Sequence, residues 1–538
     1  MISRIWASLL IVVVASTCLG SCDRESSSEA GLSPDGRHVV LRRGNGGDPQ
    51  TLDPALADDS HALNVLADLY EGLVAINADA DVIPGVAESW QISDDGQTYT
   101  FLLRSDARWS NGEPVRAANF LAGFRRTLDP ATNSPFAFLL APLKNAESIM
   151  QGSLPPSALG VAAPNDRTLI IQLQSPAPQL LPVLALPIAF PLSGEDDAGL
   201  TRFSNPESFV GNGPFILEDW RPGGVIRIRK NLEFHDSGEI DIDFVEYYPI
   251  IEPHSELNMF RAGELDITAT VPGSQIAQLR ESHAAELKIA PSLAIYYIAF
   301  DLSEAPFDNP ELRQALSMAV DRDALVEVIG RGEQPAYGLV PDGVRAYSPT
   351  RFDWIGLDKQ QRSKQAHRLY QQAGYSESRP LQLTLMYDAG DIHETVALAL
   401  SSMWHSELGA VVELDKREWK YFLATRENRN DWQAMRFAWT GDFNHPSTFT
   451  GILHSESPQN LPGYESESYD ALIAAAQASP DPEEQIRLLA DAERVMLSDN
   501  PIVPLYFYVS KHLVSTSLTG YRNNALDQHP SRYISVKP

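Results

Sequence analysis

A mixed α/β protein with more than one domain is what this sequence predicts. The chain runs to 538 residues, well past the length at which a single hydrophobic core stops growing. Length alone sets a prior of about three or four domains. Helical and strand-like patterns alternate from Val39 onward. Between residues 381 and 419 the strand patterns "LQLTLMYDAG" and "AVVELDKREW" flank the helical "HETVALALSSMWHSELG". That is the grammar of a βαβ unit, so at least one sheet should hold parallel strands.

The chain opens with a leader. Arg4 makes its start positive, and "IWASLLIVVVAST" then supplies an apolar run. The run is short of the ~20 residues of a membrane span and matches the core of a secretory signal. The chain holds two cysteines, Cys18 and Cys22, four residues apart. That spacing fits neither a redox pair nor a zinc site. Leu19-Gly20-Ser21-Cys22 resembles a bacterial lipobox, which implies residues 1–21 as signal and Cys22 as the acylated first residue of the mature chain. Several acyl chains anchor firmly, since each buried CH₂ contributes ~0.8 kcal/mol. The polar, Ser-rich stretch at 22–38 reads as a tether. Asp23 behind the lipid cysteine favours retention at the inner membrane if the cell has two membranes. The expected location is the periplasm or the outer face of the cell membrane.

Asp95-Gly96 is a turn signal, and residues 97–115 behind it alternate apolar with polar, so a strand entered from a hairpin is expected there. Residues 309–330 read as one helix, with Asn309 as N-cap, Pro310 at the first position and an apolar stripe of Leu312, Ala315, Leu316, Ala319 and Val320. Residues 481–497 repeat the pattern: Asp481 caps, Pro482 follows, and Glu484 completes a capping box.

Enzyme templates fail. "HETVA" starts like a zinc-protease helix, but Ala397 stands where the second histidine belongs. "GNGG" (44–47) and "GNGP" (211–214) are too short to cradle phosphate and read as turns. The 12 histidines form no HxH or HxxxH cluster, and neither metal nor cofactor is expected. A pair of acid/base carboxylates among the 71 acidic residues stays open, because spacing does not locate one. The net charge of −29 suits no nucleic-acid partner. A binding protein is favoured; an anchored assembly factor competes with it.

The stretch "PGVAESWQISDDGQTYTFLLRSDARWSNGEPVRAANF" (84–120) resembles the signature region of the peptide/nickel family of ABC-transporter substrate-binding proteins. "SFVGNGPF" (208–215), "FRAGELDI" (260–267), "YYIAFDLSEAPFDNPELRQALSMAVDRDAL" (296–325), "YESESYDALI" (464–473) and "NPIVPLYFYV" (500–509) follow in the family's order. Residues 417–449 are similar to oligopeptide and murein-tripeptide receptors. The resemblance implies a two-lobed clamshell of class II type with an extra inserted domain. Domain I would comprise 39–67, 191–293 and 510–538, domain II 68–190, and domain III 294–509.

The resemblance also implies a site. Its function would be to capture short peptides between the lobes and deliver them, as a monomer, to an ABC permease with its ATPase subunits. Asp442 in "WTGDFN" matches the aspartate that takes the peptide's ammonium, although "GDFNHP" by itself reads as a turn. Arg436 and His393 match the cations for its carboxylate, with Arg426 beside them. Arg331 stands near a position where some relatives carry a lysine. Trp419 and Trp439 match the aromatic lining, and the backbone around Asp58 and Ser60 should face the ligand. Phe136 replaces a family tyrosine. Ala294 and Thr440 stand where some relatives carry a disulfide. A murein- or signalling-peptide receptor on the same fold, or a receptor for nickel or a sugar, are the alternatives.

Overall fold

The computed structural model describes residues 38–177, 179–194, 203–426, 431–441 and 443–537. Cys22, with the signal and most of the tether, lies outside the described residues, and so does Asp442.

Two large apolar cores organise the chain from Val39. The first gathers residues between Leu41 and Ile267, together with Val514, Leu518 and Ile534 from the chain's end. It is built on two four-stranded sheets. In one, Val40–Gly44 runs parallel to Phe244–Tyr248, followed by Ile226–Lys230 and Phe215–Asp219 in antiparallel order. The other is antiparallel, in the order Ala87–Ile92, Thr98–Leu103, Thr168–Gln172, Val161–Asn165. Polar ties hold the chain's end on this lobe. The Ser531 amide donates to Asp68 (2.9 Å), and Arg532 pairs with Glu71 (2.7 Å).

The second core gathers residues from Leu293 to Phe507, with Ala525. Its sheet has six strands in the order Gln334–Pro335, Ile502–Leu513, Leu287–Phe300, Ala434–Thr440, Gln382–Asp388, Val411–Arg417. The expected βαβ unit is there: Gln382–Asp388 and Val411–Arg417 are parallel, joined by the helix Asp391–Leu408, which ends on Gly409 in the left-handed region (φ 71°). That conformation suits glycine, which has no Cβ to clash.

Two long strands connect the cores. Beyond a register shift between Pro291 and Ile295, the Leu287–Phe300 strand leaves its partner Ala434–Thr440 and pairs with Ile502–Leu513 alone. This two-stranded ribbon meets the first lobe at Thr268, whose amide donates to the Leu513 carbonyl (3.0 Å) and whose hydroxyl accepts from the Leu513 amide (2.9 Å). Elsewhere the cores touch at an apolar crevice lined by Ile76, Val82, Leu186, Phe443 and Leu526.

The Ala87–Ile92/Thr98–Leu103 hairpin turns through Gly96 (φ 69°), as the sequence predicts. The single helix expected over 309–330 is two, Pro310–Met318 and Arg322–Ile329. Asn309 caps the first through the Leu312 amide (3.1 Å), and Asp321 caps the second through Ala324 (3.2 Å). The buried Arg322 guanidinium stabilises the break by donating to the Ser317 and Pro504 carbonyls (2.9 and 2.7 Å). The helix Pro482–Asp499 is capped by Asp481 through the Glu483 amide. Glu484 pairs with Arg487 (2.6 Å) on the helix face rather than closing a capping box.

Gly44, the first residue of "GNGG", ends a strand where a buried acid presses in: a Cβ there would stand 1.5 Å from Oε1 of Glu256. Glu256 is fully buried and accepts from the Ala269 amide (2.7 Å). Burial pushes its carboxyl up to about 6, against the pull of the Ala269 and Thr270 amides. A carboxyl raised in the folded state stabilises fully below its unfolded value of 4.5 and loses that contribution as pH rises through about 6. Urea unfolding should show a loss of about 2 kcal/mol over this window, and Glu256→Gln should abolish that part of the pH dependence.

Candidate functional site

Three strands of the second lobe create a site by running the same way. Gln382–Asp388 is parallel to both Val411–Arg417 and Ala434–Thr440, so their carboxyl ends lie along one edge of the sheet. Helices begin at Asp391 and Trp419, directly after the first two strands. Ligands of open α/β sheets bind outside the carboxyl ends of such strands. Here that edge presents Asp388, His393, Trp419, Arg436 and Trp439.

The centre of the cluster is an ion pair. Nε of Arg436 donates to Oδ1 of Asp388, and Nη2 forms an ion pair with the same oxygen. Both side chains are buried, with 9 % and 6 % of each residue exposed. His393 stands beside the pair, its Nε2 3.8 Å from Oδ2 of Asp388 and its Nδ1 3.2 Å from the Tyr296 hydroxyl. Burial lowers the His393 pKa from the ordinary 6.5, Arg436 lowers it further, and Asp388 only partly offsets them. The imidazole is therefore neutral near pH 7. Burial likewise drives the Tyr296 hydroxyl well above its ordinary value, so it stays protonated. Tyr296 stacks on His393 (5.6 Å) and on Tyr506 (4.8 Å). The Arg436 guanidinium carbon lies 5.1 Å from the Phe422 ring centre, 5.8 Å from Trp419 and 6.0 Å from Tyr296. Arginine tolerates such burial because its weakly hydrated plane packs on aromatic faces.

The structure brings Arg436, His393 and Trp419 together. Trp419 is 47 % exposed and stacks on Phe422 (6.0 Å). The Arg426 guanidinium carbon lies 5.7 Å from the Phe437 ring. Trp439 is half-buried against the second core and donates to the Thr448 carbonyl (2.7 Å). Arg331 reaches the first lobe, packing on Gly273, and its charge contributes to lowering the His393 pKa. Ala294 and Thr440 face each other across the Leu287–Phe300/Ala434–Thr440 ladder, so two side chains stand where two thiols would meet. Asp58 and Ser60 belong to the first lobe and are exposed where the helix Ser60–Leu69 begins; Asp59 between them is its N-cap (2.8 Å to the Ala62 amide). Phe136, also of the first lobe, is half-buried against that core, 6.2 Å from Phe138. The Asp442 side chain lies outside the described residues; its neighbour Gly441 donates to the Leu293 carbonyl (2.7 Å).

Asp388, Tyr296, Phe422 and Tyr506 are absent from the sequence expectations. A signal for Asp388 was present: it is a carboxylate at the end of a strand predicted to be parallel, five residues before His393.

The histidines, scattered in sequence, also meet once in space. His512 and His529 both approach Oδ1 of Asp527 through Nε2 (2.8 and 3.1 Å), and Nδ1 of His512 meets the Thr268 carbonyl (2.8 Å). The Arg43 guanidinium donates to the His529 carbonyl (2.8 Å). These bonds tie the connecting ribbon to the C-terminal segment.

Two lobes joined by strands, with an aromatic-lined polar cluster at the carboxyl edge of one sheet, define a ligand-binding protein of the clamshell class. The profile of bacterial extracellular solute-binding proteins, family 5 Middle, matches residues 81–460, and the chain belongs to this family. Its members are binding proteins of transport systems, two-lobed and built of three domains. The chain is 36 % identical over 502 residues to the probable deoxycholate-binding periplasmic protein YgiS of Escherichia coli, covering 93 % of this chain and 94 % of that one. It is 32 % identical over 517 residues to the periplasmic oligopeptide-binding protein OppA of Escherichia coli (95 % and 94 %). The murein tripeptide binding protein MppA in its unliganded open form superposes with a TM-score of 0.87 at 32 % identity, covering 94 % and 98 %. A second structure of Escherichia coli MppA gives 0.75 over 94 % and 99 %.

Truncating one partner of the ion pair should leave the other buried and uncompensated. Asp388→Ala should lower stability in urea by about 3–5 kcal/mol, with a smaller loss in Asp388→Asn, whose amide oxygen still accepts from Arg436.

Proposed function

We propose that this chain is a lipid-anchored extracytoplasmic receptor that captures short peptides between its lobes and delivers them to an ABC permease. The observation that carries the reading is the superposition, with a TM-score of 0.87 over 94 % of the chain, on a peptide receptor in its unliganded open form. The oligopeptide-binding relative, matched over 94 % of its length, supports the same reading. Domain I (39–67, 191–293, 510–538) carries the inserted domain II (68–190) and faces domain III (294–509) across the cleft. The receptor works as a monomer and does no chemistry on its cargo.

The grip follows from the needs of many different peptides. Main-chain pairing holds an extended ligand without reading its sequence. Its ammonium, enclosed by closure, needs a carboxylate, or desolvation costs several kcal/mol. Asp442 takes that role. Trp419, Trp439 and Phe136 line side-chain pockets wide enough for water, Arg426 lies beside them, and the backbone about Asp58 and Ser60 closes the opposite wall. Closure is favoured by the ligand's extra affinity for the closed state.

A murein tripeptide, for which MppA is named, fits the same requirement. Deoxycholate, for which YgiS is named, is the rival from another chemical class, and the exposed ring of Trp419 would suit its steroid body. One thermal-shift panel separates them. Free-amine peptides of two to six residues at a hundred times Kd should stabilise the protein by about 2.7 kcal/mol. N-acetylated peptides and deoxycholate should not, and Asp442→Asn should abolish the response. Stabilisation by deoxycholate alone would replace the peptide reading.

The anchor rests on Cys22, and Asp23 directs retention at the inner membrane. Cys22→Ser should move the protein from the membrane fraction to the soluble extracytoplasmic fraction and end labelling by radioactive palmitate.

A further inference from the structure

The cation expected to read a ligand's carboxylate is already engaged. Nε and Nη2 of Arg436 lie against Oδ1 of Asp388, and His393, the second expected cation, stands 3.8 Å from the same carboxylate. We propose that Asp388 is a specificity-determining residue: a built-in carboxylate that occupies the place of a ligand's own and cancels this subsite's preference for one. The inference rests on the peptide-receptor reading and names the peptides it admits, those whose far end is neutral or cationic as readily as free acids.

The charge balance requires it. Arg436 contributes one positive charge and Asp388 one negative. His393 contributes none while its ring is neutral, and the hydroxyls of Tyr296 and Tyr506 contribute none. Arg331, packed on Gly273 of the first lobe, is a cation outside the pair whose charge also reaches His393. A ligand carboxylate arriving at the pair meets no net charge from it. It can lie over the neutralised pair, where the attraction of Arg436 is offset by the repulsion of Asp388. Alternatively it can displace Asp388, which leaves a buried carboxylate without its partner, and that arrangement is heavily penalised. Neither outcome rewards a free carboxylate over an amide. Geometry holds the pair in place. Asp388 is fixed at the end of a strand paired on both sides. Arg436 is packed against the faces of Phe422, Trp419 and Tyr296, so it has little freedom to turn toward a ligand.

The test compares oligoalanines of two to five residues, each as free acid and as C-terminal amide and all with free amines, by calorimetric titration. For the wild-type protein the acid should be preferred by less than about tenfold at every length. For Asp388→Asn, which frees the charge of Arg436, the acid should be preferred by about tenfold or more for at least one length, as a charge-assisted bidentate bond would give. A tenfold or greater preference for the acid in the wild type overturns the inference, and this arm needs no variant. A folded Asp388→Asn protein that still fails to favour the acid overturns it as well. Binding of none of these peptides to either protein overturns the receptor reading, and this inference with it; peptide binding with the wrong acid-to-amide ratio overturns this inference alone.

Discussion

Everything in this molecule depends on two strands that serve two cores. Leu287–Phe300 and Ile502–Leu513 lie in the middle of the second lobe's sheet and then leave it as a ribbon. The ribbon's partners include Thr268, Asp527 through His512, and the small cluster of Leu257, Val271, Ile276, Leu279 and Leu513. A sheet interior resists bending because each strand is paired on both sides; a two-stranded ribbon does not. Bending at such a connection would let each lobe move as a rigid body. The triad of His512, Asp527 and His529 sits beside this connection and fixes where the ribbon ends and the C-terminal segment begins.

The site exploits the rigidity of the second lobe. Parallel strands deliver Asp388 and Arg436 to one edge, and the helices that follow deliver His393 and Trp419. Aromatic rings then exclude water from a charge pair that would be costly to bury singly. The result is a floor that is polar in atoms yet neutral in charge. A receptor that takes many ligands gains from that, since an unpaired buried charge would demand one particular partner.

Much of the fold was legible in the residues. The βαβ unit at 381–419 follows from alternation and helical period, and the caps at Asn309 and Asp481 from their side chains. The break after Met318 was not legible, because a wholly buried arginine stabilises it through the Pro504 carbonyl of a distant strand. Nor was the pairing of Ile298 with Val503, two hundred residues on, since local pattern carries no record of a distant partner. The site came from family resemblance, which supplied Arg436, His393 and Trp419 and missed Asp388. That acid looks like any strand-end residue until the fold lays an arginine against it. The division of the first lobe into separated segments was likewise beyond composition or periodicity, because its ties, such as Arg532 to Glu71, join opposite ends of the chain.

The claim beneath all of this is that cargo closes the two lobes about the ribbon. Small-angle X-ray scattering of the mature protein with and without a saturating free-amine tripeptide measures it directly. A radius of gyration that falls on binding, with the scattering curve moving from an open toward a closed clamshell, is the result expected. Peptide demonstrably bound with an unchanged scattering curve would contradict it.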